Sequence, residues 1–201
     1  MDKKNSFQFN MIAPIYGLFY NKQKKNYSKD IASLNKYLDL SKFNTIIDVG
    51  CGTGALCSVL NEMGFSVTGI DPAIKMLKIG ARKKENVNIR FVTPKLNNKL
   101  PFDDKSYDIS FASYVAHGLE QYERIKLYEE MSRVSKDYVI LYDYNNKRSW
   151  VTNIVETIEN GDYFNFIRSV KVELKENFKT YVEIKLRNQT SWYICEPFNK
   201  F

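Results

Sequence analysis

The sequence predicts a doubly wound α/β fold: a mostly parallel, seven-stranded sheet with an antiparallel C-terminal hairpin and an N-terminal helical cap. Three observations predict it. Strand-like and helix-like stretches alternate through the middle of the chain, glycines cluster where the first strand meets the first helix, and two strand-like runs follow each other near the end. The 201 residues suffice for one domain with a sizeable core. We read 1–40 as the cap, 41–144 as the ligand-binding core, and 145–201 as helices and the closing hairpin.

Residues 6–40 are rich in aromatics and carry the amphipathic IASLNKYLDL, which makes a helical cap; Pro14 and Gly17 interrupt its apolar MIAPIYGLFY. TIIDV (45–49) is a short β-branched strand. ALCSVLNEMG follows with Leu56, Val59, Leu60 and Met63 on one helical face, and Gly64 ends it. SVTGID (66–71) is a second strand. PAIKMLKIGARKK (72–84) is a helix with Pro72 in its first turn and Ile74, Leu77 and Ala81 inward. VNIRFV (87–92) and YDISFAS (107–113) are strands, ERIKLYEEMSRVS (123–135) is a helix on Ile125, Tyr128, Met131 and Val134, and DYVILYDY (137–144) is the most apolar strand. After 150 the pattern is helical. For 167–178 we choose helix over strand, and 180–187 and 190–197 form a hairpin joined by Asn188-Gln189.

Composition narrows the class. A hydrophobic fraction of 44% and a charged fraction of 26% are those of a soluble globular protein. No apolar run is long enough to span a bilayer and none has the form of a signal peptide, so we expect a cytoplasmic protein without membrane insertion. Cys51, Cys57, Cys195 and the single His117 have no metal-ligand spacing, so we expect reduced thiols and no metal. The net charge of +7 comes from lysines spread along the chain, densest at 21–27 and 80–86, which reads as a generic lysine-rich surface rather than a nucleic-acid face. We expect a monomer or a homodimer.

IIDVGCGTGALCSVL (46–60) carries the chemistry. In a doubly wound sheet, ligands lie outside the carboxyl ends of the strands. Gly50, Gly52 and Gly54 let the backbone approach a ligand there and offer N–H groups to it. Asp71 closes the second strand, where a carboxylate can hold a ribose diol. These features also fit a dinucleotide, with Gly50, Gly52 and Ala55 in the G-x-G-x-x-G/A pattern. Asp48 separates the two: it would repel a pyrophosphate, whereas it suits the ammonium of S-adenosylmethionine, directly or through water, while backbone N–H groups suit that ligand's carboxylate.

IIDVGCGTGALCSVL, VTGIDPAIKMLKIGARK, LPFDDKSYDISFASYVAHGL and YEEMSRVSKDYVILYDY, in this order, resemble the successive motifs of class I S-adenosylmethionine-dependent methyltransferases of Rossmann-like fold. The flavour is that of the group methylating small molecules and quinone precursors, and FNMIAPIYGLFYNK resembles that group's cap. The resemblance implies that Asp48, Gly50, Cys51, Gly52 and Gly54 line the methionine end of the cofactor and that Asp71 takes the ribose hydroxyls. It implies that Pro72 and Met76 border the adenine, that Ala112 and Ser113 give backbone near the sulfonium, and that Tyr16 and Tyr20 close over cofactor or acceptor. Many relatives carry an acid shortly before LPF to hold the adenine amino group. Here the stretch is TPKLNNK, and Thr93 or Asn97 stands in.

Plainer readings stand beside these. The glycines could serve only a tight turn, Asp71 could cap the helix at Pro72, and Phe7, Phe9, Tyr16, Phe19 and Tyr20 could be cap packing. His117 is either a general base or a polar residue without a chemical role. The expected function is methyl transfer to a small-molecule acceptor. The alternatives are a non-catalytic S-adenosylmethionine-binding module and an RNA methyltransferase.

Overall fold

The β-branched runs become strands because their side chains pack on a pleated surface, and the amphipathic runs between them become helices. The computed structural model describes residues 3–94, 99–145, 162–186 and 189–198, with side chains from Phe9 onward. In chain order the elements are α1 (Lys3–Leu34), β1 (Thr45–Val49), α2 (Ala55–Glu62), β2 (Ser66–Ile70), α3 (Ile74–Ala81), β3 (Arg90–Val92), β4 (Tyr107–Ser113), α4 (Gln121–Val134), β5 (Ser135–Tyr144), α5 (Tyr163–Asn177), β6 (Thr180–Lys185) and β7 (Thr190–Glu196). Among the described residues the strands form one seven-stranded sheet in the order β3-β2-β1-β4-β5-β7-β6. β1 and β3 run parallel to β2, β4 runs parallel to β5, and β7 runs antiparallel to both β5 and β6. The expected mostly parallel sheet, terminal hairpin and N-terminal helix are all present.

The chain divides into two compact units, Met1–Pro101 and Phe102–Phe201. In the first, α2 is buried nearly all round, and α1 packs over α2 and α3. α1 runs straight through Pro14 and Gly17, which the sequence reading took as interruptions. Gly17 has a positive reason: a Cβ there would stand 3.3 Å from the Ile79 side chain of α3. The expected inward face of α3 is corrected too. Ile74 and Ala81 are exposed, and Met76, Leu77 and Gly80 are buried. Gly80 sets this face, because a Cβ on it would come within 2.6 Å of the Thr53 carbonyl. Met63, expected inward on α2, is exposed.

In the second unit, Val139, Ile140 and Leu141 of β5 have no exposed surface, and burying such side chains contributes about 1.5–3 kcal/mol each. α4 opens with a capping box in which Glu120 and Glu123 exchange side-chain and backbone bonds. Its inward face holds Arg124 rather than Ile125. The guanidinium donates to Glu173 through Nε at 2.9 Å and Nη2 at 2.8 Å, and Nη1 reaches Asp162 at 2.9 Å and the Leu119 carbonyl. A bidentate, charge-assisted pair of this kind fixes both orientation and register. Helix was chosen for 167–178, and α5 covers it up to Asn177. β6 ends at Lys185, short of the expected 187; the Leu186 amide donates to the Thr190 carbonyl at 2.9 Å, and Gln189 takes φ 63°, in the left-handed region. Asn188, Asn97 and the helical pattern expected over 150–161 lie outside the described residues.

Candidate active site

In the first unit the chain leaves β1 through a turn in which Gly50, Gly52 and Gly54 have φ of 75°, 54° and 75°. Three left-handed residues in five are affordable only for glycine. Two of the three have different further reasons. A Cβ on Gly54 would strike the Phe91 ring at 2.7 Å, so Gly54 is needed for packing. A Cβ on Gly52 would meet nothing within 4 Å, so the backbone there faces open space, where a ligand can reach it. α2 then starts without a side-chain cap, leaving its positive end to an anionic group.

Asp71 holds this turn together. Its Oδ2 accepts the Gly52 amide at 2.8 Å and its Oδ1 accepts the Ala73 amide at 2.7 Å. The second is an Asx turn that leads into α3, whose N-cap is Ala73. Asp71 is therefore not the N-cap itself, and Pro72 precedes the helix rather than lying in its first turn. Each Asp71 oxygen keeps a second lone pair for a diol. Burial raises its pKa, and the two backbone donors oppose that shift.

Asp48 lies beneath the turn and is 1% exposed. Its Oδ2 accepts the Cys57 thiol at 3.2 Å, and its Oδ1 has no hydrogen-bond partner. Burial pushes its pKa up to about 7, and the neighbouring Asp71 charge adds to the rise. Opposite Asp48 in register stands Gly69, where a Cβ would lie 2.9 Å from both the Cys51 and the Cys57 sulfur. Burial raises the Cys51 thiol to about 11 and the Cys57 thiol well above its ordinary value, so both are protonated packing groups.

The other expected cofactor residues divide. Met76 and Ala73 pack on Ala13 of α1, with Tyr16 half-buried against them and its ring edge-on to Phe9 at 6.4 Å. Tyr20 has no exposed surface. Its hydroxyl exchanges hydrogen bonds with Asn86 and its ring carries the Lys83 ammonium at 4.6 Å, so it seats α1 in the core. Pro72 is half-buried and Thr93, just after β3, is exposed.

The second unit holds a different constellation. Ala112 is buried and Ser113 half-buried at the end of β4. Tyr114 follows with φ 54°, an uncommon strain for an aromatic residue, and its amide donates to the Tyr142 carbonyl at 2.8 Å. The short 3-10 turn Ala116–Gly118 carries His117, whose Nδ1 lies 2.8 Å from Asp143 Oδ1 and whose amide donates to Oδ2 at 3.3 Å. Asp143 Oδ1 also accepts the Tyr144 amide at 2.8 Å. A carboxylate on Nδ1 keeps the neutral imidazole proton there and makes Nε2 the basic nitrogen. The rings of Tyr144 and Tyr114 stand edge-on to the imidazole at 4.8 and 6.3 Å, and Tyr163 stands edge-on to Tyr144 at 5.1 Å. Sequence reasoning missed Asp143. Its signal was an acid one residue from the end of the most apolar strand, the place Asp48 holds on β1. Among the described residues no cluster of histidines, cysteines and acids could hold a metal.

A sequence profile described as "Methyltransferase domain" matches residues 46–137. An uncharacterized methyltransferase from Alkaliphilus oremlandii is 22% identical over 192 residues, covering 88% of this chain and 86% of the relative. The demethylmenaquinone methyltransferase of Tropheryma whipplei is 37% identical over 76 residues, which are 36% of this chain and only 30% of that protein. A solved structure of a Pyrococcus horikoshii protein superposes with a TM-score of 0.68 at 20% identity, over 83% of this chain and 87% of that one, and so shares the fold. The matched profile is that of a methyltransferase domain, and the sheet order and the glycine turn with its two acids are similar to those of class I S-adenosylmethionine-dependent methyltransferases.

Proposed function

We propose that this chain, acting as one domain, transfers a methyl group from S-adenosylmethionine to a small-molecule acceptor. The observation that carries this reading is the Gly52 position: left-handed, open where a Cβ would stand, and with its amide pinned to Asp71. The residues present fit the cofactor. Asp48 has a buried oxygen without a partner for an ammonium, α2 offers an uncapped positive end to a carboxylate, and Asp71 has lone pairs left for the ribose. Pro72, Met76 and Thr93 would border the adenine, Tyr16 would cover the ligand, and Ala112 and Ser113 would line the path of the methyl. The cofactor supplies a methyl carbon already activated by its sulfonium. The protein has to align the acceptor and exclude water.

His117 is the base in this reading. With Nδ1 occupied by Asp143, Nε2 takes the proton of an acceptor hydroxyl or ammonium as the methyl arrives. The three cysteines are free thiols, in keeping with a cytoplasmic protein. Calorimetric titration with S-adenosylmethionine and with NAD tests the reading. S-adenosylmethionine should bind and NAD should bind more weakly or not at all; tighter NAD binding overturns it. Incubation with labelled cofactor and a metabolite extract then separates an enzyme from a binding module, since only an enzyme labels the extract.

A further inference from the structure

α1 turns two unlike faces outward and inward. Ala13, Tyr20, Ile31 and Leu34 are buried on one side. On the opposite side Met11, Ile15 and Leu18 are 65%, 56% and 82% exposed, with Phe19 beside them at 50%. Their spacing of four and three residues puts them on one stripe. Lys22, Lys25 and Lys29 continue that stripe at the same spacing and are exposed. α1 carries six lysines, Lys3, Lys4, Lys22, Lys24, Lys25 and Lys29, against a single acid, Asp30. The acids of the neighbouring elements, Glu62 and Glu85, are engaged by Lys24, off the stripe. Three lysines of this helix thus stand on one exposed stripe, next to aliphatic side chains left in water.

We propose that the Met11–Lys29 stripe docks this protein peripherally onto an anionic phospholipid surface. Met11, Ile15, Leu18 and Phe19 enter the headgroup–acyl boundary, and Lys22, Lys25 and Lys29 meet the lipid phosphates. A helix lying in the interface needs this combination: buried apolar area plus attraction to anionic lipid. The charge argues for this occupant over a second copy of the chain. In an antiparallel two-fold pairing the stripe would lay Lys22, Lys25 and Lys29 against the apolar Leu18, Ile15 and Met11, and in a parallel one it would set lysines against lysines, with no acid on the stripe to answer the ammonium groups in either case. The aliphatic side chains argue against RNA, whose unpaired bases are held by stacking on aromatic or guanidinium planes. Among the described residues no helix is long and apolar enough to cross a membrane, so the contact is one of docking and not of spanning.

Vesicle flotation of the full chain tests this without cofactor or acceptor. The protein should float with vesicles of phosphatidylcholine mixed with phosphatidylglycerol, stay behind with phosphatidylcholine alone, and lose binding as salt rises. Lys22→Glu, Lys25→Glu and Lys29→Glu combined should cut partitioning on the order of a hundredfold or more. Ile15→Glu with Leu18→Glu should abolish it, whereas Val182→Glu, at an equally exposed valine of β6, should leave it intact. The substituted sites are exposed, so circular dichroism and melting should match the parent. No flotation with the mixed vesicles, or flotation unchanged in the stripe variants, overturns the proposal. So does a dimer that Ile15→Glu with Leu18→Glu dissociates, or single-stranded RNA that binds through the three lysines while vesicles do not.

Discussion

Two buried acids, one in each unit, occupy equivalent places and live differently. Asp48 and Asp143 each stand one residue before the end of a strand, and each is 1% exposed. Asp143 is satisfied by its own chain: His117 and the Tyr144 amide take its oxygens. Asp48 has only a thiol, and one oxygen is left without a partner. A buried polar atom left unpaired costs about 1–3 kcal/mol, more when charged. The comparison teaches that Asp143 serves a side chain of the protein, while Asp48 keeps a buried oxygen without a partner, the feature that the proposed contact with a ligand ammonium uses.

The comparison can be broken at the turn above Asp48. Gly52→Val should abolish S-adenosylmethionine binding in calorimetry, because the side chain fills the open volume. The left-handed φ adds about 1–2 kcal/mol of strain, which a domain stable by roughly 5–15 kcal/mol survives. Retained affinity in a folded variant would put the ligand elsewhere.

At the other acid, His117→Gln should lower turnover by about 10²–10⁴ with cofactor binding unchanged. Near-normal turnover in the variant would make His117 structural and leave catalysis to alignment alone.

Arg124→Met removes the partner of buried Glu173. The expected cost is about 3–5 kcal/mol of stability in denaturant unfolding, the size seen when one partner of a buried pair is lost. A loss within surface-mutation range would mean that the cluster is plastic.

Asp71→Ala should weaken the cofactor by about 1.5–3 kcal/mol, the range for hydrogen bonds to a charged group. Asp71 also accepts two backbone amides, so melting of the free protein should fall as well. If melting falls while affinity holds, Asp71 belongs to the fold only.

What was legible in the sequence was local. The glycine turn, Asp48 and Asp71 lie within 24 residues and follow from strand, turn and helix signals in order. Their chemistry could be read because the turn conformation admits only glycine. His117 was visible as the single histidine, but its partner lies 26 residues on, and Arg124 meets Glu173 across 49. Contacts at such separations leave no periodic trace. Apolar spacing also misplaced Ile74 and Ala81. The inner face of α3 is set by a glycine that lets the helix approach Thr53, and a glycine adds nothing to an apolar pattern.

The most direct measurement is Asp48→Asn, followed by calorimetry with S-adenosylmethionine and by melting of the free protein across pH. Burial raises the folded-state pKa of Asp48 from 3.8 to about 7, so the native state favours the protonated acid. The parent should therefore lose stability as pH rises from near 3.8 through about 7. Asparagine keeps the shape and an acceptor for Cys57 but not the charge. The account predicts that the variant gains stability over the parent only as pH climbs through that window, and that it binds S-adenosylmethionine more weakly. A variant less stable above neutrality, with undiminished affinity for the cofactor, would contradict it.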